Sequence, residues 1–410
     1  MTVRVVVTGL GIVSPVGIGK DNFARALATG QSGIEVIKAF DASAYTTCIA
    51  GEVKNFAGED YNLPLSVTSM GRFAQFAAVA TQEALADAQL EVVAGKNNWG
   101  ISLGTSRGGA LELVEAYEKW RNNPSDNFNP KFMSQYFSDS AAINLAGILG
   151  MGGPLHTVGT ACASGTMAIG SALRYLQRGE AEVMITGGSE ASISPLFFAG
   201  ACTTRAMSTL NENPAGACRP FDAQRDGYVM GEGAGMVIME TLEHAQRRGA
   251  PIYAEVCSCG LSCDAYHVTA PDPEGAGLAR AMQQALQESG LKPQEVEYIN
   301  AHGTGTRLND SCETNAIKRV FQESAYNMYV SSTKSVTGHM MGAAGAVEFI
   351  ASLLALERGF IPPTINYAHP DPECDLNYVP NKAIKKDVNV AMSNSAGFGG
   401  HNASLIMKKI

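Results

Sequence analysis

One stretch of the sequence carries a nucleophile among small residues. The short apolar run Leu155-His156-Thr157-Val158 leads into Gly159-Thr160-Ala161 and puts Cys162 just ahead of Ala163-Ser164-Gly165. The residues that follow, Thr166 to Leu173, read as a small-residue helix. A thiol at the first turn of a helix faces unpaired backbone N–H groups and the positive end of the helix dipole. Both favour the thiolate, which is the nucleophilic form. Ala161, Ala163 and Gly165 are small enough for a substrate carbonyl to come close. The competing reading is a buried structural cysteine, the commoner fate of a free thiol.

Two histidines sit on glycine-rich corners after strands: His302 in Asn300-Ala301-His302-Gly303-Thr304-Gly305-Thr306, and His339 in Ser335-Val336-Thr337-Gly338-His339. Neutral imidazoles on such corners can donate hydrogen bonds to an oxygen that gains negative charge. Lys334 and the carboxylates Asp310, Glu313 and Glu348 can orient and tune them. The competing reading for each of these four is a solvated surface charge, and for Glu348 alone that reading is preferred. A fourth corner, Asn394-Ser395-Ala396-Gly397-Phe398-Gly399-Gly400-His401-Asn402, sets one phenylalanine among glycines. Phe398 can swing as a gate, and its backbone N–H can help bind an oxyanion. The alternative is a plain turn with one core aromatic.

Alternating strands and helices must position these corners, and they point to α/β architecture. Val3 to Thr8 is a strand that enters Gly9-Leu10-Gly11-Ile12-Val13-Ser14-Pro15-Val16-Gly17. That run resembles the start of a dinucleotide fingerprint, but Ser14 replaces the third glycine and Pro15 follows. A strand and a tight turn is the better reading. Helices are expected at 21–27, 71–88, 138–149, 275–289 and 345–358, and a surface loop at 122–129. Thr203 to Tyr228 reads as a long irregular segment, of the kind that is often functional. Gly249-Ala250-Pro251 divides the chain into halves at 1–250 and 251–410. The helix after Cys162 ends Leu173-Arg174-Tyr175-Leu176-Gln177-Arg178-Gly179, and the helix after His339 ends Leu353-Leu354-Ala355-Leu356-Glu357-Arg358-Gly359. Aligning these ends sets His339 opposite Gly159 and suggests a duplicated half-fold with two active corners.

Composition bounds the function classes. The 410 residues are 45% hydrophobic and 17% charged, a globular composition with length for a large core. A formal net charge of -9 argues against broad nucleic-acid binding, and an acidic partner would need a local basic patch. Nine scattered cysteines argue against a disulfide framework and for a reducing compartment, the cytoplasm. Cys257, Cys259 and Cys263, with His267 behind them, lack paired metal-ligand spacing and read as part of a strand. No apolar run is long enough to span a bilayer, so no membrane partner is expected, and the N-terminus does not read as a signal peptide.

Together the motifs resemble the β-ketoacyl-[acyl carrier protein] synthases, closest to the type II (KAS II) branch of the thiolase-fold condensing enzymes. The resemblance covers essentially the whole chain. It rests on VVVTGLGIVSPVG, TACASG, RPFDAQRDGYVMGEGAG, NAHGTGT, SSTKSVTGHMMGAAGAVE and GFGG. It implies a thiolase fold: duplicated βαβαβαββ halves in five αβαβα layers, usually as a dimer. It implies that Cys162 accepts the acyl group and that His302 and His339 are the paired histidines. Lys334 matches the essential lysine, with Glu313 and Glu348 as its supporting carboxylates. Thr304 and Thr306 match threonines that hold the pantetheine arm, and Phe398 the gating phenylalanine. The N–H groups of Cys162 and Phe398 match the oxyanion hole. The reaction implied is decarboxylative condensation with malonyl carrier protein, elongating a fatty acyl or polyketide chain by two carbons. No metal or redox cofactor is implied. The partner is an acyl carrier protein, expected to be acidic, which makes Arg205, Lys131 and Arg72 candidate contacts. A thiolase would carry a second catalytic cysteine near the C-terminal glycine corner, where this sequence has none.

Three departures bear on substrate and partner. Ala396 stands where enzymes of this branch usually have phenylalanine. Arg107 sits where the acyl pocket is often lined by a small or apolar residue. Leu63 to Ser69 lacks the basic residues often offered there to the carrier protein. These departures also fit a ketosynthase subunit of a type II polyketide or aryl-polyene pathway, paired with a chain-length-factor subunit.

Overall fold

The opening β-branched run forms a longer strand than its sequence suggests. In the computed structural model, which describes residues 3–61, 63, 69–92, 95–125 and 130–410, β1 spans Val5–Ser14. It passes straight through Gly9 and Gly11 instead of turning at them. The turn falls at Pro15-Val16, between the paired Ser14 and Gly17. Close packing is the reason. A Cβ at Gly11 would meet the Ala80 carbonyl oxygen at 1.7 Å, so only glycine lets the helix Arg72–Asp87 lie against this strand.

Besides three two-residue strands, the described residues of the first half contribute β2 (Trp99–Gly104), β3 (Leu155–Val158), β4 (Val183–Glu190) and β5 (Gly233–Thr241). The second half contributes β6 (Ala254–Cys263), β7 (Tyr298–Asn300), β8 (Tyr329–Ser331), β9 (Val390–Gly397) and β10 (His401–Lys408). In space the first five run β3-β2-β4-β5-β1, and the second five run β8-β7-β9-β10-β6. The order is the same in both. So is the pattern of directions: β2 is parallel to β3 and β4, while β5 is antiparallel to β4 and β1. Likewise β7 is parallel to β8 and β9, while β10 is antiparallel to β9 and β6. The two sets join where β1 meets β6, antiparallel, with Val6 opposite Glu255. This is the duplicated βαβαβαββ arrangement of the thiolase fold.

Two helices pack against each other in the middle, Ser164–Gln177 and Ala344–Arg358. The second is buried along its length except at Glu357 and Arg358. Each is preceded by a short 3-10 turn, Ala161–Ala163 in one case and Met341–Ala343 in the other. Each turn opens on a non-glycine residue in the left-handed region, Ala161 at φ 49° and Met341 at φ 48°. Each helix is followed by a left-handed glycine, Gly179 or Gly359. The weak similarity of the helix ends therefore continues in the backbone, and Cys162 occupies the place that Gly342 holds in the other half. One core cluster draws on both halves, with Leu10, Ile169 and Leu173 beside Val347, Phe349, Ile350 and Leu405.

Apart from single-turn helices, three described helices are not evident from apolar spacing: Ala110–Asn122, Pro195–Thr203 and Arg307–Phe321. The last hides because its buried face includes polar residues, Asp310, Glu313 and Thr314 among them. Thr306 caps it by accepting from the Asn309 N–H. Residues 126–129 of the expected loop, and 64–68 of the segment expected to lack basic docking residues, lie outside the described residues. No described helix is long and apolar enough to cross a membrane.

Candidate active site

Three corners meet around Cys162. The thiol sits in the turn after β3, and the left-handed Ala161 just before it is a strained position for a residue with a Cβ. Local hydrogen bonds hold the turn in place. The Ser164 hydroxyl donates to the Ala161 carbonyl at 2.6 Å and accepts from the Thr160 N–H at 2.9 Å. From the second half, His339 brings Nε2 to 3.0 Å from the Cys162 Sγ. The His302 ring lies edge-to-face on His339, with centroids 5.3 Å apart. The corner after β9 presses in from the side: a Cβ at Gly397 would stand 3.2 Å from the Cys162 nitrogen.

Buried charges hold the histidine corners. Glu313 accepts from the His302 N–H at 2.9 Å and from the Gly303 N–H at 2.8 Å. Its carboxyl is pushed up to about 7 by burial, against those two N–H groups. Lys334 is fully buried; its ammonium donates to the Glu348 carboxylate and the His302 carbonyl, and lies 3.3 Å from His302 Nδ1. An ammonium only donates. His302 Nδ1 is therefore the acceptor, and the ring proton sits on Nε2. Burial, reinforced by the Lys334 charge, pushes both imidazoles well below their ordinary value, so both are neutral.

The structure corrects several expectations. Glu348 is not the solvated charge its local sequence suggested but the buried partner of Lys334, in keeping with the supporting role the resemblance implied. Asp310 touches neither imidazole. It accepts from the Phe221 and Gly305 N–H groups and lies 3.4 Å from the Arg225 guanidinium, so it braces the 302–306 loop. The Cys162 thiol is not lowered. Burial pushes it up to about 11, although the Lys334 charge and the Phe398 N–H pull the other way. At rest the pair is thus a thiol and a neutral imidazole. Phe398 is no core aromatic: it is 44% exposed.

These groups open on a cavity of about 420 Å³. Thr304 and Thr306 line it, their hydroxyls 2.9 Å apart, as do Phe398, Arg107, Ala396 and Arg205. The expected carrier-protein contacts divide. Arg205 is at the cavity. Lys131 is exposed but outside the lining. Arg72 is ion-paired at 2.7 Å with the buried Glu232 and lies 4.6 Å from the Phe76 ring, so part of its charge is engaged within the chain. Sequence reasoning passed over Tyr228, Met341 and Arg307, which also line the cavity. Tyr228 packs edge-on against His339, with centroids 5.6 Å apart. Its signals were its place at the end of the long irregular segment and within the RPFDAQRDGYVMGEGAG motif.

The Cys162, His302 and His339 donor atoms lie within 4.8 Å of one another, a grouping that would also suit a cation. The Lys334 ammonium occupies the inner face of His302 and sets a positive charge against that use.

Comparison with known proteins agrees with this geometry. Residues 2–245 match the family described as "Beta-ketoacyl synthase, N-terminal domain", and 253–368 its C-terminal counterpart. A "3-oxoacyl-[acyl-carrier-protein] synthase 2" of Synechocystis sp. is 46% identical over 99% of this chain and 98% of that protein. A protein of the same name from Staphylococcus aureus is 46% identical at the same coverage. Among solved structures, the ishigamide ketosynthase/chain length factor superposes with a TM-score of 0.93 at 36% identity, with both chains fully covered. A type II polyketide ketosynthase solved with its acyl-carrier protein gives 0.92 at 34%, again over both full chains. Matched along nearly its whole length in sequence and in fold, this chain belongs to the β-ketoacyl synthase family.

Proposed function

We propose that this chain is a 3-oxoacyl-[acyl carrier protein] synthase, an acyltransferase that elongates a fatty acyl or polyketide chain by two carbons. One observation carries the proposal: a thiol at 3.0 Å from a neutral imidazole, with a second neutral imidazole beside it, on a cavity open to a thioester. In the first step the Cys162 sulfur attacks the acyl thioester. The pantetheine C–S bond breaks, and the thiol proton leaves with the pantetheine sulfur. Malonyl carrier protein then enters and loses carbon dioxide, leaving an enolate. The enolate carbon attacks the acyl-cysteine, the C–S bond to Cys162 breaks, and the thiolate regains a proton.

His302 and His339 donate to the enolate oxygen, each worth about 3 kcal/mol by analogy with oxyanion-hole donors. The N–H groups of Cys162 and Phe398 form the oxyanion hole for the acyl transfer. Thr304 and Thr306 hold the pantetheine arm, and Phe398 gates the cavity. Lys334, Glu348 and Glu313 position the imidazoles. This chemistry needs no metal or redox cofactor, because proton and carbon transfers suffice.

The substrate partner is an acyl carrier protein. Arg205 and Arg307, both at the cavity, suit its acidic surface, and Lys131 is a more distant candidate. A second copy of the chain, or a chain-length-factor-like subunit, pairs along the edge strand β3. Among the described residues no strand lies beside its outer backbone groups, and Leu155 and the nearby Ile143 are exposed. The halves divide at 1–250 and 251–410, which the repeated strand order supports. Nine unpaired cysteines suit a reducing compartment, the cytoplasm. The test is mass analysis of the chain incubated with acyl carrier protein. Cys162 gains the acyl group and Cys162→Ala does not; undiminished acylation of the variant overturns the proposal.

A further inference from the structure

One cationic side chain at the cavity has no part in these steps. Arg107 lines the same space as Cys162, along with Ala161, Tyr228 and Met341. Its backbone is anchored close to the end of β2, where the Ser106 N–H donates at 2.7 Å to the buried Glu190 carboxylate. The same Glu190 oxygen accepts from the Gly342 N–H at 3.1 Å, and the Arg107 charge favours the ionised carboxylate from beyond ion-pair distance. The Arg107 guanidinium lies 4.6 Å from the Phe197 ring centroid, and no described carboxylate comes within ion-pair distance of it. A guanidinium stays charged at any working pH and carries five donors in one plane. Stacking on a ring engages its face and leaves the in-plane donors for other partners. A hydrocarbon chain filling the cavity would take water from those donors and return nothing.

We propose that Arg107 selects acyl chains bearing an oxygen acceptor beyond the thioester carbonyl, a ketone or a carboxylate, over saturated chains of equal length. This rests on the reading of the chain as a condensing enzyme that loads its acyl group on Cys162. A charge-assisted hydrogen bond from the guanidinium is well suited to either acceptor, and its fork suits a carboxylate in particular. A site that hydrogen-bonds a substrate group discriminates against the analogue lacking it more strongly than a site that only measures chain length.

Three eight-carbon chains on acyl carrier protein test this: octanoyl, 7-oxooctanoyl, and the mono-thioester of the eight-carbon diacid. Loading rates onto Cys162 are followed by intact mass. The wild type is expected to load one or both oxygenated chains at least about tenfold faster than octanoyl. The arm that wins tells ketone from carboxylate. Arg107→Met is expected to lose the preference and Arg107→Lys to keep part of it. Equal or faster loading of octanoyl by the wild type overturns the inference while the condensing reading stands, and needs no variant to fold. A preference that survives Arg107→Met overturns it as well. If no chain loads on Cys162, the condensing reading itself fails.

Discussion

At Cys162 two local effects oppose each other. The helix Ser164–Gln177 begins just after the thiol, and its N-terminal N–H groups favour a negative sulfur. The surrounding protein removes water from the same sulfur and favours the neutral form. Burial wins in the resting site and pushes the thiol up to about 11. In the proposed reaction the arriving thioester, and the donors that receive its charge, would make the sulfur reactive, not a standing negative charge. Alkylation by iodoacetamide, followed on the Cys162 peptide, should accordingly keep rising between about pH 7 and pH 10 without levelling. A plateau beginning below about pH 8 would mean that the dipole prevails. The imidazoles add no limb of their own to this profile in that range, because both are held neutral well below their ordinary value.

At the scale of elements, a buried ion pair ties the histidine corners to the central helix. Lys334 opens the single-turn helix Lys334–Thr337, and Glu348 lies in the first turns of Ala344–Arg358. Both side chains are nearly inaccessible, at 1% and 3% exposure. Removing one partner leaves a buried charge uncompensated, so Glu348→Ala should cost about 3 kcal/mol or more in unfolding free energy. The double variant Lys334→Ala/Glu348→Ala should cost less than the two single losses combined, as read by denaturant titration. If the losses simply add, the pair is not coupled. The helix Arg307–Phe321 plays a parallel role through Asp310 and Glu313, which hold backbone N–H groups of the 302–306 loop and of Phe221.

Across the whole molecule, the two halves repeat one topology yet share one interior. The proposed nucleophile comes from the first half and both histidines from the second, so neither half holds the whole candidate site. The helix Ser164–Gln177 is covered by Ala344–Arg358, and the largest apolar cluster takes residues from both sides of residue 250. Residues 1–250 alone would expose that apolar face. The fragment is expected to aggregate, or to show far-UV but not near-UV circular dichroism. A monomeric fragment with fixed near-UV signals would show that the half folds by itself.

Much of this was legible along the chain because small-residue corners, β-branched runs and alanine-rich helices are local patterns. They marked Cys162, His302, His339, Lys334 and Phe398, the opening strand and most of the longer helices. The helix Arg307–Phe321 was not legible, since a helix that buries carboxylates to hold a loop lacks an apolar stripe. The protonation of Cys162, the ion pair of Arg72 and the burial of Glu348 had no local signal either. Each depends on what distant segments bring alongside: water removed by residues of both halves, Glu232 at the end of a long loop, an ammonium from another helix. Residue types and spacing are properties of neighbours in the chain, whereas charge states follow from neighbours in space.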